Sequence, residues 1–303
     1  MTKSVSAVVV TYNRLELLKE VIESIKSQTV PVSHLIVVDN ASNHDTKDYL
    51  ESLGNSIDYL RLEENLGGAG GFNHGIRYFM EETKDDFVWV MDDDTVTHPD
   101  TLEQLLSYAD DQPNFSFLAS DVRWIDGHRS KMNLPSAVEK QPGDGEVPED
   151  QVEPLELKNA SFVSLMIKRE IIEKIGLPIT DFFIWGDDIE YTERAARVAP
   201  GYFVPASKVT HKMASNVGSS LMDDGPNRTP RYFYSYRNRY YYVNQREFLP
   251  RLKGMVKLHL ELWQMRFAKT ERKDEKLAVL KKGLKAGRSF RPDVEFAKNN
   301  KDI

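Results

Sequence analysis

Val88-Trp89-Val90-Met91-Asp92-Asp93-Asp94 is the stretch on which the fold turns. Four apolar residues run straight into three consecutive carboxylates. A short buried strand ending this way delivers acids to the edge of a sheet, where ligands bind in open α/β folds. Three adjacent like charges repel, so water, basic side chains or a divalent cation with hard oxygen ligands must hold them. On position alone, a solvated turn and a metal site are both open.

Upstream, residues 5–10 are apolar and β-branched and break at Thr11-Tyr12-Asn13-Arg14, a first buried strand. Leu15, Leu18, Ile22 and Ile25 follow at helical spacing, up to about residue 28. Residues 35–38 read as a second strand, closed by Asp39-Asn40. A β-α-β unit of this length implies parallel neighbours and a right-handed crossover. A short helix over 46–53 and a strand over 57–62 lead to Asn65-Leu66-Gly67-Gly68-Ala69-Gly70-Gly71-Phe72-Asn73-His74-Gly75. Glycines let backbone amides approach a ligand closely. The run feeds a helix, whose N-terminus favours an anion such as phosphate. It carries neither a dinucleotide fingerprint nor a Walker A lysine, and a plain tight turn is the competing reading.

Downstream, Pro99 opens a helix with Leu102, Leu105 and Leu106 on one face. Residues 115–120 and 162–167 read as strands. Between them, 136–154 is a surface loop rich in Pro, Gly and Glu. A helix over 169–175 has Gly176 as its C′ residue. Next comes Phe182-Phe183-Ile184-Trp185-Gly186-Asp187-Asp188-Ile189-Glu190, opening a helix over 191–198. Acids capping that helix would explain Asp187 or Asp188 and leave Trp185 unexplained. Residues 202–205 and 208–210 look like strands, with His211 at the end of the second; a lone histidine is commonly a structural hydrogen-bonder. Residues 231–242 are dense in Tyr and Arg, and from 252 onward the pattern is helical and basic.

At 303 residues the chain has room for one large α/β domain or a domain with an appendage. The formal net charge of -7 argues against bulk nucleic-acid binding. With no cysteine there are no disulfides, thiolate ligands or cysteine nucleophiles, which fits a reducing compartment. No apolar run approaches the roughly 18 residues that span a bilayer. A cytoplasmic protein is therefore expected. Residues 251–291 hold about thirteen Lys/Arg against four Asp/Glu. That segment is either a solvated helical pair or a surface for anionic lipid at the inner face of the cell membrane. The aromatic C-terminal half could also support a homo-oligomer.

Taken in order, Val9-Val10-Thr11-Tyr12-Asn13-Arg14, Val37-Val38-Asp39-Asn40, the glycine run, Asp92-Asp93-Asp94, Trp185-Gly186-Asp187-Asp188-Ile189-Glu190 and His211 resemble the family 2 inverting glycosyltransferases over about residues 5–240. The Gly-Gly-Ala-Gly-Gly-Phe form looks most like the galactofuranosyltransferase branch, and related rhamnosyltransferases share much of the pattern. The resemblance implies a GT-A fold: an α/β, Rossmann-like, mostly parallel central sheet flanked by helices. The transferase domain would occupy residues 1–240, with a basic helical extension over 241–303.

The resemblance also implies roles. Thr11, Tyr12 and Arg14 would line a uridine pocket, where an aromatic face can stack on the base. Asp39 would accept the uracil N3–H. Asn65, Gly70, Gly71, Phe72 and Asn73 would sit against ribose and diphosphate. Asp92 would face the ribose or join Asp94 and His211 around Mn²⁺ or Mg²⁺, with Asp93 pointing away. Residues two apart on an extended segment share a side. Asp188 would be the base, Asp187 would bind another acceptor hydroxyl, and Trp185 would wall the sugar. The implied reaction moves galactofuranose from UDP-galactofuranose to a glycan or lipid-linked acceptor. The alternatives are dTDP-rhamnose as donor, or a non-catalytic nucleotide-sugar-binding or scaffold protein.

Overall fold

A computed structural model of the chain describes residues 3–138 and 147–298. The expected 136–154 loop lies partly outside them. Strand β1 (Val5–Thr11) is buried throughout, as its unbroken apolar run requires. Helix α1 (Leu15–Lys26) crosses over to β2 (His34–Asp39), burying Leu18, Val21, Ile22 and Ile25. Helix α2 (His44–Ser52) is capped by Asn43, whose side chain accepts from the Thr46 amide. Then come β3 (Asp58–Arg61), α3 (Gly67–Glu82) and β4 (Phe87–Asp92). These four strands pair in parallel in the order β3-β2-β1-β4. Their register places Thr11 beside Asp39 and Val10 beside Asp92, so three strands end together at one edge.

The two sheet faces bury alternate residues. Val8 and Val10 pack with α3 residues Phe72, Ile76 and Phe79. Val5, Ala7 and Val9 pack with α1 on the other side. The glycine run is not a loop before a helix but the first turns of α3. A Cβ at Gly71 would sit 2.3 Å from Val10 Cγ1, and one at Gly75 would sit 2.4 Å from Val8 Cγ1. Close approach to β1 outweighs the poor helix propensity of glycine, about 1 kcal/mol per residue.

The second half of the sheet is mixed. Strand β5 (Thr95–Thr97), helix α4 (Thr101–Asp111), β6 (Phe117–Trp124), β7 (Ser136–Ala137), β8 (Leu155–Asn159) and β9 (Leu165–Lys168) follow. Strand β9 inserts antiparallel between β4 and β6, and is shorter than the expected 162–167 strand at its start. After α5 (Arg169–Ile175), helix α6 (Asp187–Ala196) begins four residues earlier than expected, at the acid pair itself. The strands expected over 202–205 and 208–210 form one strand, β10 (Gly201–His211). Its register against β6 shifts between Val204 and Lys208, where Pro205 cannot donate to the ladder. Helices α7 (Tyr232–Asn244), α8 (Phe248–Phe267) and α9 (Lys273–Gly287) pack together around Tyr236, Leu258, Met265, Leu280 and Leu284. The boundary drawn at residue 240 falls inside α7.

Candidate active site

The acid cluster forms where β4 ends. The chain turns after Asp92 rather than staying extended, and β5 pairs antiparallel with the end of β10, setting Thr95 opposite His211. Carboxylate and imidazole atoms of Asp92, Asp94 and His211 come within 4.8 Å of one another. His211 Nε2 lies 2.9 Å from Asp94 Oδ1, and its Nδ1 lies 2.9 Å from Asn133 Oδ1. Asp93 turns the other way. It accepts from Thr11 Oγ1 at 2.7 Å and from the Tyr12 amide at 3.3 Å. Arg14 bridges the cluster, donating to Asp94 at 2.6 Å and to Asp93 at 3.2 Å.

Burial, then the charge of Asp94, pushes the Asp92 carboxyl up to about 7. Burial pushes Asp93 up to about 6 against the pull of Arg14. Burial acts the same way on Asp94, but His211 and Arg14 together outweigh it and hold that carboxyl below its usual value. Two carboxylates and an imidazole in one small space are a donor set that fits a divalent cation, and a nitrogen ligand suits Mn²⁺ better than Mg²⁺.

Asp92, Asp94 and His211 line a cleft of about 1250 Å³. Trp185, Asp187 and Asp188 line the same cleft. Trp185 lies on a contorted turn that leads into the acid pair opening α6: φ is +63° at Phe183, +64° at Trp185 and +90° at Gly186. Asn238 of α7, wholly buried, holds that turn. Its Nδ2 donates to the carbonyls of Phe182 at 3.0 Å, Ile184 at 3.2 Å and Trp185 at 2.8 Å. Non-glycine residues in this region carry strain and persist only where the surroundings over-determine them. Burial pushes Asp188 up to about 6, offset in part by backbone amides such as that of Ile189, 2.8 Å away. Burial and the charge of Asp188 push Asp187 well above the ordinary carboxylate range. Trp185 is flanked by the Tyr232 ring at 5.0 Å and the Arg228 guanidinium at 5.9 Å.

The expected nucleotide set divides. Phe72, Arg14 and Asp92 line the cleft. Tyr12, between Thr11 and Arg14 in the chain, is 46% exposed. Thr11 does not face the cleft, because its hydroxyl is committed to Asp93. Asp39 is wholly buried and already accepts from the Ser42 amide, the Tyr59 hydroxyl and Arg61, which leaves one carboxylate lone pair for uracil. Asn65 accepts from the Gly67 amide at 2.8 Å. Gly70 and Gly71 are spent on packing against Leu66 and Val10, and the glycine of this run that lines the cleft is Gly68. Asn73 is buried and donates to Pro178 and Glu295, away from the cleft. Sequence reading missed Gly68, Asn133 and Asn238. The two asparagines act on partners 78 and 53–56 residues away, a distance no local motif bridges.

Residues 6–176 match Glycosyl transferase family 2. That is more than half of the sequence, and the chain belongs to this family. It is 27% identical over 286 residues to galactofuranosyltransferase GlfT1 of Mycolicibacterium smegmatis, covering 82% of this chain and 87% of that one. It is 25% identical over 210 residues to the low-salt glycan biosynthesis hexosyltransferase Agl10 of Haloferax volcanii, covering 65% of this chain and 63% of the relative. Among solved structures, S. aureus TarS 1-349 in complex with UDP-GlcNAc is similar, with a TM-score of 0.59 at 15% identity, covering 93% of this chain and 81% of that one. The mannosyltransferase PcManGT from Pyrobaculum calidifontis in complex with GDP-Man and Mn²⁺ gives a TM-score of 0.54 at 17% identity, covering 96% of this chain and 76% of that one. The fold is GT-A and the protein is a glycosyltransferase, which removes the non-catalytic alternative. No helix among the described residues is long and apolar enough to cross a membrane.

Proposed function

We propose that this enzyme transfers galactofuranose from UDP-galactofuranose, with inversion, to a hydroxyl of a glycan or lipid-linked acceptor. The observation that carries this reading is the shared cleft: Asp92, Asp94 and His211 on one wall, Trp185, Asp187 and Asp188 on another. A leaving diphosphate and an incoming alcohol need opposite help, and the two walls offer it. The choice of sugar is supported by relatives named galactofuranosyltransferase over most of the chain.

Asp92, Asp94 and His211 would hold Mn²⁺ or Mg²⁺, which as a Lewis acid stabilises charge on the departing UDP. The remaining work falls to side chains. Tyr12 stacks on the base, and Gly68 leaves room at the N-terminus of α3 for phosphate oxygens. Trp185 walls the acceptor sugar. Asp188 takes the acceptor proton as the new bond forms; at about 6, its carboxyl is ionised at neutral pH yet basic enough to act. Asp187 orients a second hydroxyl. We divide the chain functionally into a catalytic part, residues 1–240, and a basic helical extension, residues 241–303, which share α7. The work would be done in the cytoplasm, with residues 251–291 meeting the inner face of the membrane that presents the acceptor.

The test is a donor panel of UDP-galactofuranose, UDP-galactose, UDP-glucose and dTDP-rhamnose on a lipid-linked acceptor, with and without Mn²⁺. Transfer from UDP-galactofuranose that requires Mn²⁺ is the expected result. An inert UDP-galactofuranose beside an active dTDP-rhamnose would overturn the donor in favour of the rhamnosyl alternative.

A further inference from the structure

Helix α8 has two apolar faces, and the fold uses one. Leu258 and Met265 are buried in the helical cluster, with Met255 and Leu262 packed beside them. On another side Phe248, Leu252, Val256, Leu260, Trp263 and Phe267 are exposed, Trp263 by 58% and Phe267 by 68%. Successive members are three or four residues apart, so they form one stripe along the helix. Exposed Arg251 and Arg266 flank one edge, and exposed Lys253 and Lys257 the other. The one carboxylate of α8, Glu261, lies away from the stripe, at the cleft, paired with both Nη atoms of Arg239 at 2.8 Å.

A second concavity, of about 300 Å³, opens at the start of this stripe. Arg251, Arg288 and Arg291 line it with Tyr240, Tyr241 and Asn244. None of the three arginines has an ion pair among the described residues. Gly287 makes the junction: a Cβ there would meet Tyr240 Cβ at 2.5 Å, so only glycine lets α9 close on α7 and deliver Arg288. Arg251 belongs to both features, its guanidinium 5.9 Å from the centre of the Phe248 ring.

We propose that α8 lies in the surface of an anionic membrane. The stripe sits at the boundary of headgroups and acyl chains, and Arg251, Arg288 and Arg291 grip a headgroup phosphate. An in-plane amphipathic helix needs an apolar face, a basic rim and too little overall hydropathy to span the bilayer, and α8 meets all three conditions. A second copy of the chain is the competing occupant. Both rims of the stripe are basic, so pairing two copies would set cation against cation, whereas an anionic leaflet complements both rims. The inference goes beyond membrane contact by a basic segment. It makes the apolar stripe the anchor, begins it at Phe248 and gives the headgroup a site. It depends on no step of sugar transfer.

The test sediments the full chain with vesicles of zwitterionic phospholipid, with or without about 30 mol% anionic phospholipid, at low salt and without nucleotide. Binding to the anionic vesicles alone is expected, with a blue shift of tryptophan emission. Trp263→Glu and Leu260→Glu, both at exposed positions, should each weaken it at least about ten-fold. Arg288→Glu should do so without losing the residual stripe contact. Far-UV circular dichroism of each variant checks that it is folded. No binding to anionic vesicles, or undiminished binding of Trp263→Glu, overturns the proposal. A dimer in sedimentation that Trp263→Glu dissociates assigns the stripe to a second copy and also overturns it. Titration with inorganic phosphate separates the two sources of phosphate: tight binding without vesicles, lost in Arg288→Glu, overturns the headgroup assignment.

Discussion

Asn133 accepts a hydrogen bond from His211 Nδ1 at 2.9 Å. That contact fixes the ring so that Nε2 points at Asp94. Outer partners of this kind typically set metal affinity by a factor of about 10–100. Asn133→Ala should therefore weaken Mn²⁺ binding by that range, measured by titration followed by electron paramagnetic resonance, while the melting temperature barely moves. His211→Ala should weaken it further. Equal Mn²⁺ affinity in both variants and the parent protein would place the cation elsewhere.

The base we propose, Asp188, sets the sign of a pH dependence. With its carboxyl at about 6, it is protonated and unable to accept below that value, and ionised above it. Turnover should climb between pH 5 and about pH 7 and then level. Asp188→Asn should lower kcat by about 10²–10⁴ while leaving UDP binding intact. For stability the direction reverses. The folded carboxyl titrates above its unfolded value, so ionisation opposes folding, increasingly as pH rises from the usual carboxylate range to 6. Asp188→Asn should raise the melting temperature at pH 8 and leave it unchanged at pH 3. A pH-independent kcat would remove Asp188 as the base.

Asn238→Ala removes the Nδ2 contacts to one turn: the Phe182 carbonyl keeps the Ile184 amide and Arg237, while those of Ile184 and Trp185 lose the Asn238 donor. A stability loss of about 1–3 kcal/mol is expected in urea unfolding. The larger effect should be on kcat, because Trp185 sits on that turn and Asp187 and Asp188 follow it directly at the start of α6. The dissociation constant for UDP with Mn²⁺ should hold. A fall in UDP affinity equal to the fall in kcat would contradict this assignment.

Two glycines in one helix should behave oppositely. Gly71→Ala drives a methyl into Val10 and should cost about 1–3 kcal/mol of stability. Gly68 has nothing within 4 Å of a built Cβ and lines the cleft. Gly68→Ala should leave stability equal or better by up to about 1 kcal/mol and raise KM for the donor. Thermal melts paired with donor kinetics read both.

Much of the sheet was legible because β1, β2 and β4 are unbroken apolar runs, and each ends in a polar residue that marks the sheet edge. Asp92, Asp94, His211, Asp187 and Asp188, which line one cleft, came together in the sequence only through the family resemblance; position alone left a solvated turn, helix capping and a structural histidine open. The uses of Thr11, Gly71 and Asn73 were not legible. Each is absorbed by a partner distant in sequence, Asp93, Val10 and Pro178, and a motif reports residue type without reporting which neighbour claims it. The single strand β10 was hidden by Pro205, which reads as a stop and acts as a bulge. Strand β9 gave no sign of its direction, because antiparallel insertion leaves no trace in a short apolar run.

The turn bearing Trp185 draws its shape from a helix that follows the last sheet strand, not from the sheet whose edge carries Asp92 and Asp94. The C-terminal helices are therefore no detachable accessory. Truncation before Tyr232 would leave every sheet residue in place and still unmake the wall we propose for the acceptor, and whatever tilts those helices from outside would be felt at Trp185.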